Sequence, residues 1–211
     1  MPDDSESLHG SAPDKSKVAL LLIDVINDLD FPEADQLLHF AEPMSKALAD
    51  LARRARLAGV PVIYVNDNFG RWRSDFRAIV EHCLSNDSRG KSFVRRLQPE
   101  KEDYFVLKPK HSGFFSTTLD TLLEYLGVQS VILTGVAGNI CVLFTANDAY
   151  MRDLRLVVPR DCIASNSQAF NDYALKQMET VLKSEIIESQ QLSVNVLREL
   201  KSASFEIASN Q

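Results

Sequence analysis

The sequence predicts a single α/β domain built on a six-stranded, mostly parallel sheet. Apolar runs rich in branched side chains alternate six times with amphipathic stretches of helical period, without a repeat or a low-complexity linker. The first run, "VALLLID", is apolar at every position but the last. This is the pattern expected of a strand that is covered on both faces of a parallel sheet.

The strand and helix boundaries follow from this alternation. Strands are predicted, in chain order, at 18–24, 60–67, 104–109, 130–135, 154–161 and 184–189. Helices are predicted between them, at 41–59, 73–85, 116–127, 139–153 and 167–183. Two of the helices end in a glycine, which commonly terminates a helix in a left-handed conformation. Residues after Gln190 are amphipathic or polar, and we expect them to pack outside the sheet.

Composition limits the classes of function. The 211 residues suffice for one well-buried domain, and the net charge of -6 argues against a nucleic-acid partner. No run is long and apolar enough to cross a bilayer, and the polar, acidic start is unlike a signal peptide. Three widely spaced cysteines are typical of a reduced compartment. We therefore expect a cytoplasmic protein with a flexible arm at 1–16 and one domain at 17–211, without membrane or nucleic-acid partners.

Three chemically active residues fall at the carboxyl ends of predicted strands, where open parallel sheets form their sites. Asp24 ends the first strand, Lys108 ends the third, and the fourth leads through a glycine turn to Cys141. Each also has an ordinary structural explanation: Asp24 as a cap, Lys108 as a loop charge like Lys110, and Cys141 as a small buried apolar residue. Their common placement at one sheet edge indicates a functional site more strongly than any one of the three residues does alone.

Cys141 differs from Cys83 and Cys162 because it lies in the first turn of a predicted helix. There the helix dipole favours a thiolate, and a nearby ammonium would lower the thiol pKa further. Glycines in "GVAGNICV" allow a tight turn that directs backbone N–H groups into a small space. A thiolate beside such donors is suited to attack a carbonyl and to hold the resulting oxyanion.

These motifs resemble those of the isochorismatase-like cysteine hydrolases, which include nicotinamidases and other small-amide hydrolases. The resemblance runs from about Val18 to Ile187 and rests on "LLIDVINDLDF", "LKPKHSGFFSTTLDTLL" and "GVAGNICV". It implies a three-layer α/β/α fold with strand order 3-2-1-4-5-6. It also implies a catalytic triad of Asp24, Lys108 and Cys141, and a non-proline cis peptide between Val136 and Ala137.

The resemblance and the local chemistry together suggest a mechanism. Asp24 would accept the proton of Cys141, Lys108 would stabilise the thiolate, and the thiolate would attack a small carboxamide or related C–N carbonyl. The N–H groups of Ala137 and Cys141 would hold the oxyanion. The four histidines lie away from the three strand ends, which disfavours a cysteine–histidine protease, although His111 could border the pocket.

Departures from the family pattern narrow the choice of substrate and bear on whether a metal is bound. Nicotinamidases carry histidines after the second strand for a metal, whereas "VNDNFGRWRSDF" has Asp67 and no histidine. We therefore expect neither a metal nor another cofactor. Ile26 stands where many relatives have glutamine. The candidates for lining a substrate pocket, each of which could equally be ordinary packing, are Phe31, Asn68, Trp72 and Phe114.

Two rival functions remain at this point. One is an isochorismatase-type vinyl-ether hydrolase in which Asp24 acts as an acid and Cys141 is incidental. The other is a non-catalytic binding protein on the same fold. The presence of Cys141 favours amide chemistry over the first, and the complete acid–lysine–cysteine set argues against the second. The expected partners are a small-molecule substrate and further copies of the chain, as a dimer or a tetramer.

Overall fold

In the part of the chain that the structure describes, seven strands form one sheet in which every pairing is parallel. The computed structural model describes residues 15–70, 75–85 and 87–202. The strands are β1 (Val18–Ile23), β2 (Val62–Asp67), β3 (Tyr104–Lys108), β4 (Ser130–Val136), β5 (Arg155–Pro159), β6 (Ile163–Ala164) and β7 (Glu185–Ile187). Their order is β3-β2-β1-β4-β5-β7, with β6 paired to β4. The strand predicted sixth is β7, so the predicted order is confirmed, and only the two-residue β6 was not foreseen.

Helices cover both faces of the sheet and give the predicted three layers. They are α1 (Ala34–Ala58), α2 (Phe76–Cys83), α3 (Lys91–Arg96), α4 (Leu119–Leu126), α5 (Leu143–Tyr150), α6 (Gln168–Thr180) and α7 (Val194–Ser202). Alternate residues of β1 enter different cores. Leu20 and Leu22 pack with α1 and α7, whereas Leu21 and Ile23 pack with α4, α5 and α6. All six residues of β1 are buried, as its uniform hydrophobicity predicts.

Helix α1 is longer than predicted. It begins at Ala34 instead of residue 41 and continues through Pro43, a residue that usually breaks a helix. The buried stripe continues across the proline at helical spacing, from Leu37 through Met44 to Leu48, and this packing keeps the helix continuous. Gly59 ends it at φ 69°, the left-handed cap that the sequence predicts.

The ends of the described chain lie on the helical layers. Ser16, the last residue of the predicted arm, is buried, and its N–H donates to the carbonyl of Leu126 at 3.0 Å. Residues 1–14 of that arm lie outside the described residues. Helix α7 packs on α1 through the buried Leu197, outside the sheet as predicted. Of the helices described, none combines the length and hydropathy needed to cross a membrane.

Candidate active site

The three residues singled out in the sequence meet at the carboxyl edge of the sheet. Asp24 directly follows β1, and Lys108 is the last residue of β3. Cys141 lies in a π-helical turn, Gly138–Val142, that joins β4 to α5. Because β1, β2, β3 and β4 are neighbours in the sheet, parallel pairing brings their ends to one place.

The ammonium of Lys108 lies between the carboxylate and the thiol. Its Nζ is 2.8 Å from Asp24 Oδ2 and 3.6 Å from Cys141 Sγ, and it donates to the carbonyl of Lys110 at 3.1 Å. Lys108 has no exposed surface, whereas the side chain of Lys110 points to solvent. The cation beside the thiol is therefore Lys108, as the sequence predicts, and Lys110 contributes only its backbone.

Strand β2 holds the carboxylate of Asp24 in place. The N–H of Asp67 donates to Asp24 Oδ1 at 2.7 Å, and the N–H of Asp24 donates to the carbonyl of Val65 at 3.0 Å. Asp24 itself has φ 51°, a left-handed conformation that aspartate tolerates better than most residues. One carboxylate oxygen thus faces a backbone donor and the other faces Lys108.

The turn before Cys141 depends on two glycines. Gly135 has φ 111°, and a Cβ there would lie 2.1 Å from the carbonyl oxygen of Ile23. A Cβ on Gly138 would lie 2.6 Å from Asn171 Oδ1. The Val136–Ala137 peptide bond is cis, and the carbonyl of Ala137 accepts hydrogen bonds from the N–H groups of Ile140 and Val142.

A short polar chain supports this turn from the side of α6. The N–H of Asn139 donates to Ser165 Oγ at 3.2 Å, and Ser165 Oγ donates to Asn171 Oδ1 at 3.0 Å. Ser165 and Asn171 are both buried, so these bonds are shielded from water. They fix the start of the π-helical turn and therefore the position of Cys141.

The electrostatics of the site favour a protonated thiol at rest. Burial raises the pKa of Cys141, the carboxylate of Asp24 raises it further, and Lys108 opposes both effects without overcoming them. The prediction of a lowered thiol pKa is therefore wrong for the unliganded site. The ammonium of Lys108 does not compensate for desolvation and a neighbouring negative charge.

The two charged residues beside the thiol are also shifted. Burial raises the pKa of Asp24 above its ordinary value, although Lys108 and the hydrogen bonds of the carboxylate act to lower it. Burial has the largest single effect on the pKa of Lys108 and would lower it, but the charge and hydrogen bond of Asp24, with smaller contributions from Cys141 and Asp67, together outweigh burial and raise it. A carboxyl with a raised pKa is a better proton acceptor, and Lys108 remains a cation.

The chain is similar to known proteins over most of its length. The Isochorismatase domain family matches residues 18–191, which is most of the chain. YaaI of Bacillus subtilis (strain 168), an isochorismatase family protein, is 44% identical over 178 residues, covering 84% of this chain and 97% of that protein. The chain belongs to the isochorismatase family. It is thus an isochorismatase-like hydrolase, with the fold that the sequence motifs imply.

Two further proteins to which the chain is similar have named activities. The ureidoacrylate amidohydrolase RutB of Methylorubrum extorquens is 26% identical over 162 residues, covering 65% of this chain and 64% of that protein. The crystal structure of N-carbamoylsarcosine amidase from Thermoplasma acidophilum is similar with a TM-score of 0.63. It is 26% identical and covers 82% of this chain and 96% of that one.

The four pocket candidates are found in different settings. Asn68 is buried. Its N–H donates to the carbonyl of Lys108, and its Oδ1 accepts a hydrogen bond from the N–H of Gly70. Asn68 therefore connects the loop after β2 to the end of β3. Phe31 is half-buried against the α1 core. Phe114 is buried in the opposite core, with the Arg152 guanidinium 4.5 Å from its ring centroid. Trp72 lies outside the described residues.

Three residues near the site were not assigned these roles from the sequence. His111 is exposed, yet its Nδ1 is 3.8 Å from Cys141 Sγ. Asn66, fully buried in β2, forms two hydrogen bonds with the backbone of Ile26, accepting from its N–H and donating to its carbonyl. Asp67 supplies the N–H that holds Asp24. The sequence signal for the last two is the polar run "NDN" at the end of an otherwise apolar strand.

Proposed function

We propose that this chain is a cysteine hydrolase that cleaves a C–N bond of a small carboxamide or ureido compound through an acyl intermediate on Cys141, a thioester from a carboxamide and a thiocarbamate from a ureido compound. The observation that carries the proposal is the buried contact between Asp24, Lys108 and Cys141. The carboxylate of Asp24 and the thiol of Cys141 both lie within 3.6 Å of the Lys108 ammonium, so the nucleophile has a base and a counter-ion beside it.

The first half of the reaction forms the thioester. Asp24 takes the proton from Cys141, and Lys108 stabilises the thiolate as it attacks the carbonyl carbon of the amide. The tetrahedral oxyanion is held by the N–H groups of Ala137 and Cys141. The C–N bond then breaks, and Asp24 returns its proton to the departing amine, which leaves as ammonia from a primary amide.

The second half regenerates the thiol. Asp24, again ionised, removes a proton from water, which attacks the thioester carbonyl. The C–S bond breaks, a carboxylic or carbamic acid forms, and the proton held by Asp24 returns to Cys141. The net reaction adds one water to the amide and needs no oxidant or reductant.

The choice of substrate class rests on the relatives. RutB is named for a ureido acid and the solved amidase for an N-carbamoyl amino acid, and both compounds carry a terminal N–CO–NH₂ group. Such a group offers a small carbonyl with ammonia as leaving group, in keeping with the mechanism. Because the mechanism needs a reduced thiol, and all three cysteines are free, we also propose a cytoplasmic location.

The test is a panel of small carboxamides, ureido acids and N-carbamoyl amino acids, scored by ammonia release. A slow member of the panel should add its acyl group to Cys141, which peptide mass spectrometry locates. Cys141→Ser should abolish ammonia release and keep the wild-type melting temperature. Cys83→Ala, which removes a buried thiol at the end of α2, should keep the wild-type turnover.

Two results would contradict the proposal. One is near wild-type ammonia release by Cys141→Ser, which would exclude the thioester. The other is turnover of isochorismate by both wild type and Cys141→Ser without any amide activity. That outcome would favour vinyl-ether hydrolysis with Asp24 as acid.

A further inference from the structure

A cavity of about 330 Å³ lies between α1 and the start of α6, beside the turn that carries Cys141. Of the described residues that line it, none belongs to the set of Asp24, Lys108 and Cys141. We call it the α1–α6 cavity. Its volume is within the range of small-molecule sites, which are commonly apolar with a few polar groups that orient the ligand.

One side of the cavity is apolar. Helix α1 contributes four side chains at helical spacing, so that they share one face of the helix: Phe40, Pro43, Met44 and Ala47. The short strand β6 adds its two apolar residues. Surface of this kind favours contact with the hydrocarbon part of a ligand over contact with water.

Another side of the cavity carries a guanidinium. Arg160 directly follows β5, and its side chain is 53% exposed. Its Nε is 3.6 Å from Glu188 Oε1, which is too far for a hydrogen bond. The planar guanidinium therefore keeps donors for a ligand, and its geometry matches the two oxygens of a carboxylate.

A second donor lies deeper in the cavity. Asn171 is 9% exposed and lines the cavity. Its Oδ1 accepts from Ser165 Oγ at 3.0 Å, whereas its Nδ2 finds no acceptor among the described residues. A nearly buried amide donor is commonly satisfied by water or by a ligand oxygen. Helix α6 begins at Gln168, which also lines the cavity, so the positive end of its dipole lies there too.

The carboxylates around the cavity have partners of their own. Asp161 lines it, but its two oxygens accept from the N–H and the hydroxyl of Ser189 at 2.8 and 2.6 Å. Asp172 accepts from Gln168 Nε2 at 2.8 Å, and Glu188 caps the short helix after β7. One guanidinium in this setting suits a ligand with a single negative charge. A dianion such as phosphate would bring a second charge without a partner.

We propose that the α1–α6 cavity binds a small monocarboxylate with an apolar body, such as an aromatic acid. The carboxylate accepts from the guanidinium of Arg160 and from Asn171 Nδ2. The hydrocarbon part packs on the apolar face of α1. This site is additional to the one at Cys141 and takes a ligand that is not turned over there.

A ligand in the cavity also acts on the turn that carries the thiol. Ser165 Oγ accepts from the N–H of Asn139, two residues before Cys141, and the same hydroxyl holds Asn171. A carboxylate that orders Asn171 consequently orders this hydrogen-bonded chain and the turn. The thiol should therefore react more slowly while the cavity is occupied.

The first test measures the binding of benzoate to the full chain by isothermal titration calorimetry. Benzoate should bind with a dissociation constant on the order of 1 mM, as expected for so small a ligand. Benzyl alcohol, which keeps the ring without the charge, should bind about ten-fold more weakly. A chain whose Cys141 has been alkylated with iodoacetamide should still bind benzoate, because the thiol does not line the cavity.

Two variants and one control locate the site. Arg160→Gln should weaken benzoate binding about ten-fold, and Ala47→Phe should abolish it by filling the cavity. Arg155→Gln is the matched control, since Arg155 lies at the other end of β5 and pairs with Glu185 at 2.6 Å. It should bind benzoate like wild type. Melting temperatures confirm that the variants are folded.

Three results would overturn the proposal: no saturable benzoate binding, wild-type affinity in Arg160→Gln, or loss of binding on alkylation of Cys141. The second test is the rate at which iodoacetamide modifies Cys141. Saturating benzoate should lower it several-fold in wild type and leave it unchanged in Arg160→Gln at the same concentration. An unchanged rate in wild type would overturn the coupling to the turn. Because neither test uses turnover, failure here leaves the proposed hydrolase activity unaffected.

Discussion

The Nζ atom of Lys108 lies 2.8 Å from Asp24 Oδ2, and neither side chain has appreciable contact with water. A buried pair of opposite charges is held by mutual attraction against the cost of desolvating both ions. Removing one partner leaves the other charge buried without compensation, at a cost of about 3–5 kcal/mol. Substitutions in this pair therefore affect both stability and chemistry, and tests of the site must separate the two.

Lys108→Met should nearly eliminate turnover and raise the pKa of Cys141. The methionine keeps the volume of the lysine stem, whereas the positive charge that lowers the thiol pKa is lost. Lys110→Ala should change both quantities only slightly, because Lys110 contributes its carbonyl alone. The pH dependence of Cys141 alkylation measures the pKa, and ammonia release measures turnover. If Lys110→Ala is the impaired variant, the assignment of the cation is incorrect.

Asp24→Asn should lower turnover and at the same time raise the reactivity of the Cys141 thiol. The amide keeps an oxygen for the N–H of Asp67 but cannot accept a proton, so kcat/KM should fall by about 10² to 10⁴. The negative charge that raises the pKa of Cys141 disappears, so alkylation at neutral pH should become faster. Asp67→Asn, 3.8 Å from Lys108, is the matched control and should show small effects on both. Turnover retained in Asp24→Asn would contradict the base role, and slower alkylation would contradict the effect of the Asp24 charge on the thiol pKa.

Dialysis against a chelator should leave turnover unchanged. The segment after β2 contains no histidine, and Asp67 is engaged by the N–H of Phe69 at 2.6 Å. Within residues 15–70, 75–85 and 87–202, no three His, Cys, Asp or Glu side chains are grouped as a metal would require. Activity that is lost on dialysis and restored by zinc or iron would return a nicotinamidase-type metal site to consideration.

Stability should fall as the pH rises above about 9. Burial raises the pKa of Cys83 to about 12, and it also raises the pKa values of Cys141 and Cys162. The thiols of the unfolded chain ionise near their ordinary pKa of about 8.5–9, so above that pH the unfolded state binds fewer protons than the folded state. The free energy of unfolding then decreases with pH, by about 1 kcal/mol per buried thiol at pH 10.

Urea unfolding at pH 8 and at pH 10 measures this difference. Cys83→Ala removes one of the three thiols without touching the site and should reduce the pH difference by about 1 kcal/mol. An equal pH difference in wild type and Cys83→Ala would mean that the alkaline loss has another origin.

The sequence predicted the strands and the meeting of three side chains because both depend on local patterns. Uniform hydrophobicity identified β1, and the rule for strand ends placed Asp24 and Lys108 at one edge. The short α3 was missed because six residues are too few to show a helical period. The early start of α1 was missed because Pro43 argued against it, and the buried stripe that keeps the helix intact is a tertiary property.

The charge state of the thiol could not be predicted from local patterns. It depends on how deeply Cys141 is buried and on its distance from the carboxylate of Asp24, two quantities set by packing. The direct approach of His111 to the thiol was missed for the same reason. The loop after β3 turns it back toward Cys141, and a histidine in a polar loop carries no sequence signal for that contact.

Strand β3 is an edge strand of the described sheet. The site could therefore lose Lys108 by local opening while the rest of the domain stays folded. Within the described chain β3 pairs with β2 alone, whereas β1 and β4, which precede Asp24 and Cys141, have neighbours on both sides. Margins of sheets open more readily than their centres. Brief fraying of β3 would withdraw Lys108 and leave an intact acid and thiol with no cation between them. Turnover should therefore be lost at a lower denaturant concentration than the one at which the amide protons of β1 and β4 begin to exchange.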